Sequence, residues 1–354
     1  MIVLREKIKI GDKIVGADSN TFIVAEISAN HNGSFDRAAE LIKEAKKAGV
    51  DAVKLQTYTA DTITIDCNNE YFQINKGTLW DGRTLYDLYK EAYTPWEWQP
   101  KLKKIAEEEG LICFSSPFDK TAVDFLEGMG VPAYKIASFE INDIPLIEYT
   151  ASKGKPVIMA TGIATISDIE EAVRACRRVG NEQIIILKCT SAYPAPIEES
   201  NLRTIQNLTE TFNIISGLSD HTLGITVPIV AVALGAKLIE KHFTLRRADG
   251  GPDAAFSLEP EELKLMVKSI RETEKALGQV NYELTEKNKK SREFSRSLFV
   301  VKDVAAGEIF TEDNVRSIRP NSGMEPKYYN EVLGKKATED IERGTPLSWG
   351  FVVQ

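Results

Sequence analysis

Histidine is in short supply in this 354-residue chain, which has only three: His31, His221 and His242. Cysteine is almost as rare. Cys67, Cys113, Cys176 and Cys189 show neither close pairing nor the spacing of metal ligands. That excludes a disulfide framework and a thiolate metal site, and it points to a reducing, cytoplasmic compartment. No run of about 20 apolar residues is present to span a membrane. The first residues, Met-Ile-Val-Leu-Arg-Glu-Lys, lack the apolar stretch of a signal peptide. Excess positive charge is missing too. A net charge of −8 argues against a nucleic-acid or anionic-membrane partner. A small anionic substrate is still compatible, since a few local lysines can hold it. The last absence is a glycine-rich phosphate turn after the first strand-like run. Its place is taken by Asn30-His31-Asn32-Gly33, which is no dinucleotide fingerprint.

What is present is rhythm. Phe22–Glu26, Ala52–Gln56, Leu111–Ser115, Ala133–Ile136, Val157–Ala160, Ile184–Lys188, Ile214–Gly217 and Lys237–Glu240 are short apolar runs that read as strands. Helical sequence alternates with them. Phe35, Ala38, Ala39, Ile42 and Ala45 fall on one face, and Gly49 closes that helix as a left-handed cap. Ser167 and Glu170 read as a capping box, with Ile169, Ala172, Val173 and Cys176 in phase. Ile225–Leu234 is almost wholly apolar and reads as a buried helix. A strand-turn-strand pattern, Ile8–Val15, precedes the series. A long insertion to about Tyr93 follows the second strand. Eight βα units over about 260 residues match the size and rhythm of a TIM (β/α)8 barrel. An open doubly wound sheet is the alternative, disfavoured by the missing phosphate turn.

Glu259–Leu277 forms a last helix, with Pro260 in its first turn and Gly278 just past its end. A polar, Lys-rich connector, Glu286–Arg292, leads into a different kind of sequence. From Ser295 the chain has short β-like runs and a weak repeat at an offset of 37. Asp303-Val304-x-x-Gly307 recurs as Asp340-Ile341-x-x-Gly344, with Phe310 matching Leu347 and Val315 matching Val352. The reading is a barrel domain over 1–280, a linker over 281–294 and a small β-rich domain over 295–354.

In a TIM barrel, function sits at the carboxyl ends of the strands. Those ends carry Glu26, Lys54 and Gln56, Ser115 and Ser116, Lys135 and Ser138, Thr161, Lys188, Asp220 and His221, and Glu240 and His242. A lone histidine more often satisfies a local hydrogen bond than binds a metal. Here His221 and His242 end neighbouring parallel strands, roughly 5 Å apart, beside Asp220 and Glu240. Two neutral imidazoles at that spacing can reach one divalent ion. Lys54 and Lys135 are embedded in apolar strands, and a buried ammonium is costly unless it faces an anion. Either lysine alone is equally explained by a salt bridge to Glu26 or Glu140. Both together, with the hydroxyls of Ser116, Ser138 and Thr161, favour an anion pocket. The residues lead to a metal-dependent barrel enzyme acting on an anionic substrate; an aldolase, a lyase and a phosphotransferase all fit.

The same residues carry a resemblance. Ile23-Val-Ala-Glu-Ile-Ser-Ala-Asn-His-Asn-Gly-Ser34, Lys54-Leu-Gln-Thr57, Tyr134-Lys-Ile-Ala-Ser138, Gly217-Leu-Ser-Asp-His221 and Ile239-Glu-Lys-His-Phe243 resemble the sialic acid synthase family. The C-terminal domain resembles its antifreeze-like (SAF) domain. The resemblance implies condensation of phosphoenolpyruvate with an N-acylated amino sugar to a nine-carbon 2-keto acid, with release of phosphate. It implies His221 and His242 as ligands of Mn²⁺ or Mg²⁺. Lys54, Lys135, Ser116 and Ser138 then match the phosphoenolpyruvate pocket, with Glu26 and Glu240 as candidates for proton transfer. Gln56, Phe118, Tyr193 and Asp253 match sugar-side positions, and Arg319 matches a residue that reaches the partner's site in a domain-swapped homodimer.

Two departures stand out. Ala160 occupies a position that is often Ser before Thr-Gly, leaving one fewer hydroxyl for phosphate, and Ser191 stands where Asn is common. The insertion, with Gly77-Thr-Leu-Trp-Asp-Gly-Arg83, Tyr86, Tyr89, Tyr93 and Trp96, resembles the branch that makes pseudaminic acid. Its substrate is a 6-deoxy, 2,4-diacetamido sugar. Branches making N-acetylneuraminate or legionaminic acid are the alternative. A non-catalytic saccharide-binding protein built on the small domain is a third reading, disfavoured by the intact lysines and histidines.

Overall fold

The computed structural model describes residues 7–75 and 77–353. A hairpin, β1 (Lys7–Ile10) and β2 (Lys13–Gly16), turns at Gly11, whose φ of +60° suits a residue without a Cβ. Eight parallel strands follow: β3 (Phe22–Glu26), β4 (Ala52–Thr57), β5 (Ile112–Pro117), β6 (Tyr134–Ile136), β7 (Val157–Ala160), β8 (Ile184–Cys189), β9 (Ile215–Asp220) and β10 (Leu238–His242). Each pairs with the next, and β10 pairs with β3 to close the barrel. The TIM-barrel expectation holds.

Two apolar layers hold the barrel. Ile23, Ala25, Val53, Leu55, Leu218 and Ile239 point outward onto helices, among them Phe35–Ala48 and Pro260–Leu277. The intervening residues, Phe22, Val24, Ala52, Phe114, Ile158, Ile185, Leu187, Ile215 and Leu238, fill the lower interior. Ile8, Ile10 and Val15 of the hairpin belong to the same cluster and plug the amino end of the barrel. Gly217 sits where a Cβ would lie 2.3 Å from the Leu238 carbonyl oxygen, so only glycine lets β9 and β10 approach this closely.

Helix boundaries differ in places from the sequence reading. The helix after β7 begins two residues earlier, capped by Thr165 and Asp168 rather than by Ser167 and Glu170. Both pairs satisfy the same pattern, and Thr165 is the residue whose extended backbone permits capping. Thr226–Ala233 is half-buried rather than buried, because Val230 faces outward. Part of the polar connector, Glu286–Arg292, is itself helical.

The chain divides after Gly278 into two compact units. The second contains β11 (Ser297–Val300) paired antiparallel with β12 (Val315–Ile318). Its repeat appears as an internal two-fold. Val304 and Ile341 exchange both backbone hydrogen bonds. Asp303 accepts from the Arg343 N–H, and Asp340 accepts from the Ala306 N–H, each at 2.7 Å. Gly307 donates to Ala337 as Gly344 donates to Val300. Phe310, Leu347, Val315 and Val352 are buried together at its centre.

Candidate active site

Alternation along each strand sends every second side chain into the barrel. On β3 the inner column is Phe22, Val24, Glu26; on β4 it is Ala52, Lys54, Gln56; on β10 it is Leu238, Glu240, His242. Apolar residues fill the lower layers, so the ionisable ones collect at the carboxyl end. Lys54 Nζ lies 2.5 Å from Glu26 Oε2, 3.6 Å from Glu240 Oε1 and 3.2 Å from Ser116 Oγ. Lys135 Nζ lies 3.6 Å from the same Glu240 oxygen. All of these side chains are buried.

Four charges in so small a volume cannot all behave ordinarily. Burial pushes the Glu26 carboxyl up to about 7, with Glu240 repelling it further, against the pull of Lys54. An ammonium 2.5 Å away would ordinarily hold a carboxylate ionised; here desolvation wins. Glu240 goes the other way. Burial opposes its charge, but Lys135 and Lys54 outweigh it and hold the carboxyl below its usual range. Burial lowers Lys135, while Glu240 and Glu26 together raise Lys54 in spite of burial. The cluster therefore offers one ready proton donor, one firm carboxylate and two cations. Glu26 Oε2 is taken by Lys54, whereas Glu240 Oε2 is buried without a hydrogen-bond partner and keeps acceptor capacity.

The two histidine rings stand 5.3 Å apart, centre to centre. His221 Nδ1 lies 3.0 Å from the Thr190 carbonyl oxygen, which fixes an N–H on that nitrogen and turns Nε2 away from it. His242 is held well below its usual pKa by burial and by the His221 charge, so it stays neutral. Its Nδ1 is buried without a hydrogen-bond partner, 3.9 Å from Asp253 Oδ2. Burial lowers His221, but Cys189 and the Thr190 carbonyl outweigh it and raise its pKa, so His221 would have to give up its Nε2 proton for the two rings to offer the donor set of a divalent ion. Among the described residues no group of three or more His, Cys, Asp or Glu is arranged as a metal cluster.

The sugar-side candidates lie beside the charged cluster, the polar ones joined by hydrogen bonds and the aromatic ones by ring contacts. Gln56 Nε2 donates to Glu26 Oε1 at 3.2 Å and to Ser28 Oγ at 2.8 Å, and Ser28 Oγ donates to Asp253. Phe118 packs on Tyr58, which also touches Tyr89. Tyr193 packs against His221 and Phe256. Trp80 of the insertion reaches across to Tyr193, with ring centres 5.6 Å apart, and its indole N–H donates to the Pro252 carbonyl at 3.1 Å. The rest of the aromatic cluster is loop packing. Trp96 donates to Tyr58 and stacks on Phe125, and Tyr86 bonds Asp61.

Some expectations change. Thr161 donates its hydroxyl to the Leu187 carbonyl, so it staples β7 to β8 rather than offering a free donor. Ser138 accepts from the Gly162 N–H at 3.1 Å, and a Cβ on Gly162 would lie 2.0 Å from Ser191 Oγ, so that wall needs glycine. His31 does not line the pocket as a free group. Nδ1 accepts from Gly33, Nε2 pairs with Thr94, and burial lowers its pKa to about 4. Lys188 turns to the Cys189 carbonyl and lies outside the lysine cluster. Arg319 is exposed in the second unit.

Two residues escaped the sequence reading, and a third, Glu140, entered it only as a salt-bridge partner for the lysines. Ser219 donates to Glu240 at 3.1 Å. Ser28 takes a left-handed φ of +45° that aims its hydroxyl between Gln56 and Asp253. Glu140 has a buried oxygen without a partner, and burial pushes its carboxyl up to about 7. Its position two residues past Ser138 was the available signal.

The NeuB family model matches residues 41–282 and the SAF domain model matches residues 295–353. The chain is 50% identical to a pseudaminic acid synthase of Campylobacter jejuni, over 93% of this chain and 96% of that protein. Against the pseudaminic acid synthase of Helicobacter pylori the identity is 47%, over 92% and 96%. A crystal structure of an N-acetylneuraminic acid (sialic acid) synthetase from Leptospira borgpetersenii, in complex with citrate, matches with a TM-score of 0.72 and 33% identity. The match covers 81% of this chain and 95% of that one. With its barrel, its motifs and its small terminal domain accounted for together, the chain belongs to the NeuB family and carries a SAF domain.

Proposed function

We propose that the protein condenses phosphoenolpyruvate with 2,4-diacetamido-2,4,6-trideoxy-L-altrose and water, giving pseudaminic acid and phosphate. The observation that carries this reading is the 47–50% identity, over nearly the whole chain, to enzymes that bear that name. The buried cluster supplies groups for each step. Lys54 and Lys135, with Ser116 and Ser138, hold the anionic ends of phosphoenolpyruvate. Its C3 bonds to the aldehyde carbon of the open-chain sugar, and the aldehyde oxygen takes up a proton to become a hydroxyl. Glu26, which keeps its proton to about pH 7, is the donor we assign. Water then adds at C2 and gives up a proton, for which Glu240 is the ionised acceptor. The adduct expels phosphate by C–O cleavage and leaves the 2-keto acid.

His221 and His242 are the residues that would hold a divalent ion, Mn²⁺ or Mg²⁺. When bound, such an ion supplies polarisation of the sugar carbonyl. Activity is expected to vanish on thorough chelation and to return on adding the metal back; activity that survives chelation removes the histidines as ligands. We also propose a cytoplasmic, domain-swapped homodimer in which Arg319 of one copy completes the barrel site of the other. Supporting it, the connector between the units carries exposed apolar residues, Val280 at 89% and Tyr282 at 94%. For the compartment, the support is four unpaired thiols. No described helix is long and apolar enough to cross a membrane.

Phosphate release with phosphoenolpyruvate and each candidate sugar tests the substrate. Turnover of the 2,4-diacetamido altrose is expected. Turnover of N-acetylmannosamine or of the legionaminic acid precursor in its place overturns the choice of sugar. No release with any sugar favours a saccharide-binding protein.

A further inference from the structure

The residues that precede the two histidines, Asp220 and Lys241, face away from the pocket and meet each other. β9 and β10 run in a register that sets Asp220 beside Lys241. The Lys241 ammonium lies 2.5 Å from Asp220 Oδ2, and its side chain is wholly buried. It also donates to the carbonyl oxygen of Thr222. Asp220 Oδ1 accepts from the Thr222 N–H at 3.0 Å, and Oδ2 lies 3.2 Å from the Thr222 hydroxyl. One ammonium therefore grips the residues on both sides of His221. The gripping residue is joined directly to His242. Among the described residues Glu262 also acts on the ammonium, more weakly than Asp220.

A buried ion pair is weak support for stability, since desolvation offsets most of its attraction. Its geometry is more telling. The turn Asp220-His221-Thr222 lies past the end of β9, whose last paired residue is Asp220; Thr190 and Ala195 hold His221 to the loop after β8, and the clamp holds the residues on either side of it to β10. His242 lies within its own strand and is paired to Glu26 of β3. The clamp ties the turn that carries His221 to the strand that carries His242.

We propose that Lys241 and Asp220 are positioning residues whose role is to set the separation of His221 and His242 for a shared divalent cation. The inference rests on the two-histidine metal reading above. Contacts one shell out from the ligands typically change metal affinity by about 10- to 100-fold. The pair is conspicuous because no outward-facing position of β9 or β10 other than these two carries a charge.

Mn²⁺ alone, titrated into metal-free protein and followed by electron paramagnetic resonance of the free ion, provides the test. The full chain is used throughout. Wild type is expected to bind Mn²⁺, and His221→Ala is expected to abolish that binding. Asp220→Asn/Lys241→Met removes both charges at nearly constant volume, so the fold is retained while the grip on Thr222 is lost. Its Mn²⁺ dissociation constant is expected to rise about 10-fold or more, with the melting temperature nearly unchanged. Lys241→Gln, one atom shorter, can still reach Asp220 but not both partners, and an intermediate weakening is expected. It serves in place of the double variant should that one fail to fold. A folded variant of either kind with the wild-type constant overturns the proposal and leaves the metal site standing. Wild-type protein without Mn²⁺ affinity removes the metal reading and the positioning role together.

Discussion

Glu240 Oε1 stands 3.6 Å from the ammonium of Lys135, and the same oxygen stands 3.6 Å from that of Lys54. One carboxylate thus holds two buried cations that would otherwise repel each other. Lys135→Met is expected to fold, because Glu240 keeps Lys54 and the Ser219 hydroxyl as partners. The loss falls on the anion. A hydrogen bond to a charged group contributes about 1.5–3 kcal/mol, so the KM for phosphoenolpyruvate should rise about 10- to 100-fold. Steady-state kinetics with varied phosphoenolpyruvate decides it, and an unchanged KM would place Lys135 outside the pocket.

Trp80 is expected to act on the sugar alone. Its ring meets Tyr193, which packs against His221. An aromatic pair contributes about 0.5–1.5 kcal/mol beyond burial. Trp80→Ala should therefore raise the KM for the sugar about 2- to 10-fold and leave that for phosphoenolpyruvate unchanged. Equal effects on both would mean that the insertion stabilises the barrel mouth as a whole.

Strand-end chemistry was legible because a barrel strand has a strict two-residue period. Once Phe22, Val24 and Glu26 are read as one inward column, Lys54, Glu240 and His242 fall into the matching columns of their own strands, and the structure places them there. The internal two-fold of the small domain was legible for a similar reason, since Asp303 and Asp340 cap matching turns. What a period does not specify was lost. The partners of Thr161 and His31 lie on other elements, Leu187 and Thr94, and no spacing in the sequence announces them. Trp80 is brought to Tyr193 by an insertion whose path depends on tertiary contacts, such as its bond to Pro252. Ser28 matters through a left-handed backbone that serine seldom adopts.

Glu26 gives the stability of the metal-free protein a pH dependence of unusual sign. Burial raises its carboxyl from 4.5 to about 7 in the folded chain. Between those values the folded state keeps a proton that the unfolded state releases, so stability falls as pH rises. The penalty is absent below pH 4.5 and complete above about 7. Glu26→Gln cannot lose a proton. The stability of the variant relative to wild type should climb across that window, by at most about 3 kcal/mol. Glu140 adds a slope of the same sign to both proteins and cancels in the difference. Urea unfolding of chelator-treated protein at pH 5 and pH 8 measures it, and a difference that stays flat with pH would show that Glu26 ionises normally.

Arg319 gives the proposed domain swap a sharp test. It is exposed in the second unit, whereas the histidines belong to the first. Arg319→Ala and His221→Ala should each be inactive alone. Unfolding and refolding them together yields mixed dimers at random, about half of the total, each with one barrel that keeps His221 and receives Arg319 from the other copy. About a quarter of wild-type activity should return. Were Arg319 to serve its own barrel, every site in the mixture would lack one residue or the other, and no activity would return. Mass spectrometry of the mixed species confirms the exchange, so that silence counts against action in trans rather than against mixing.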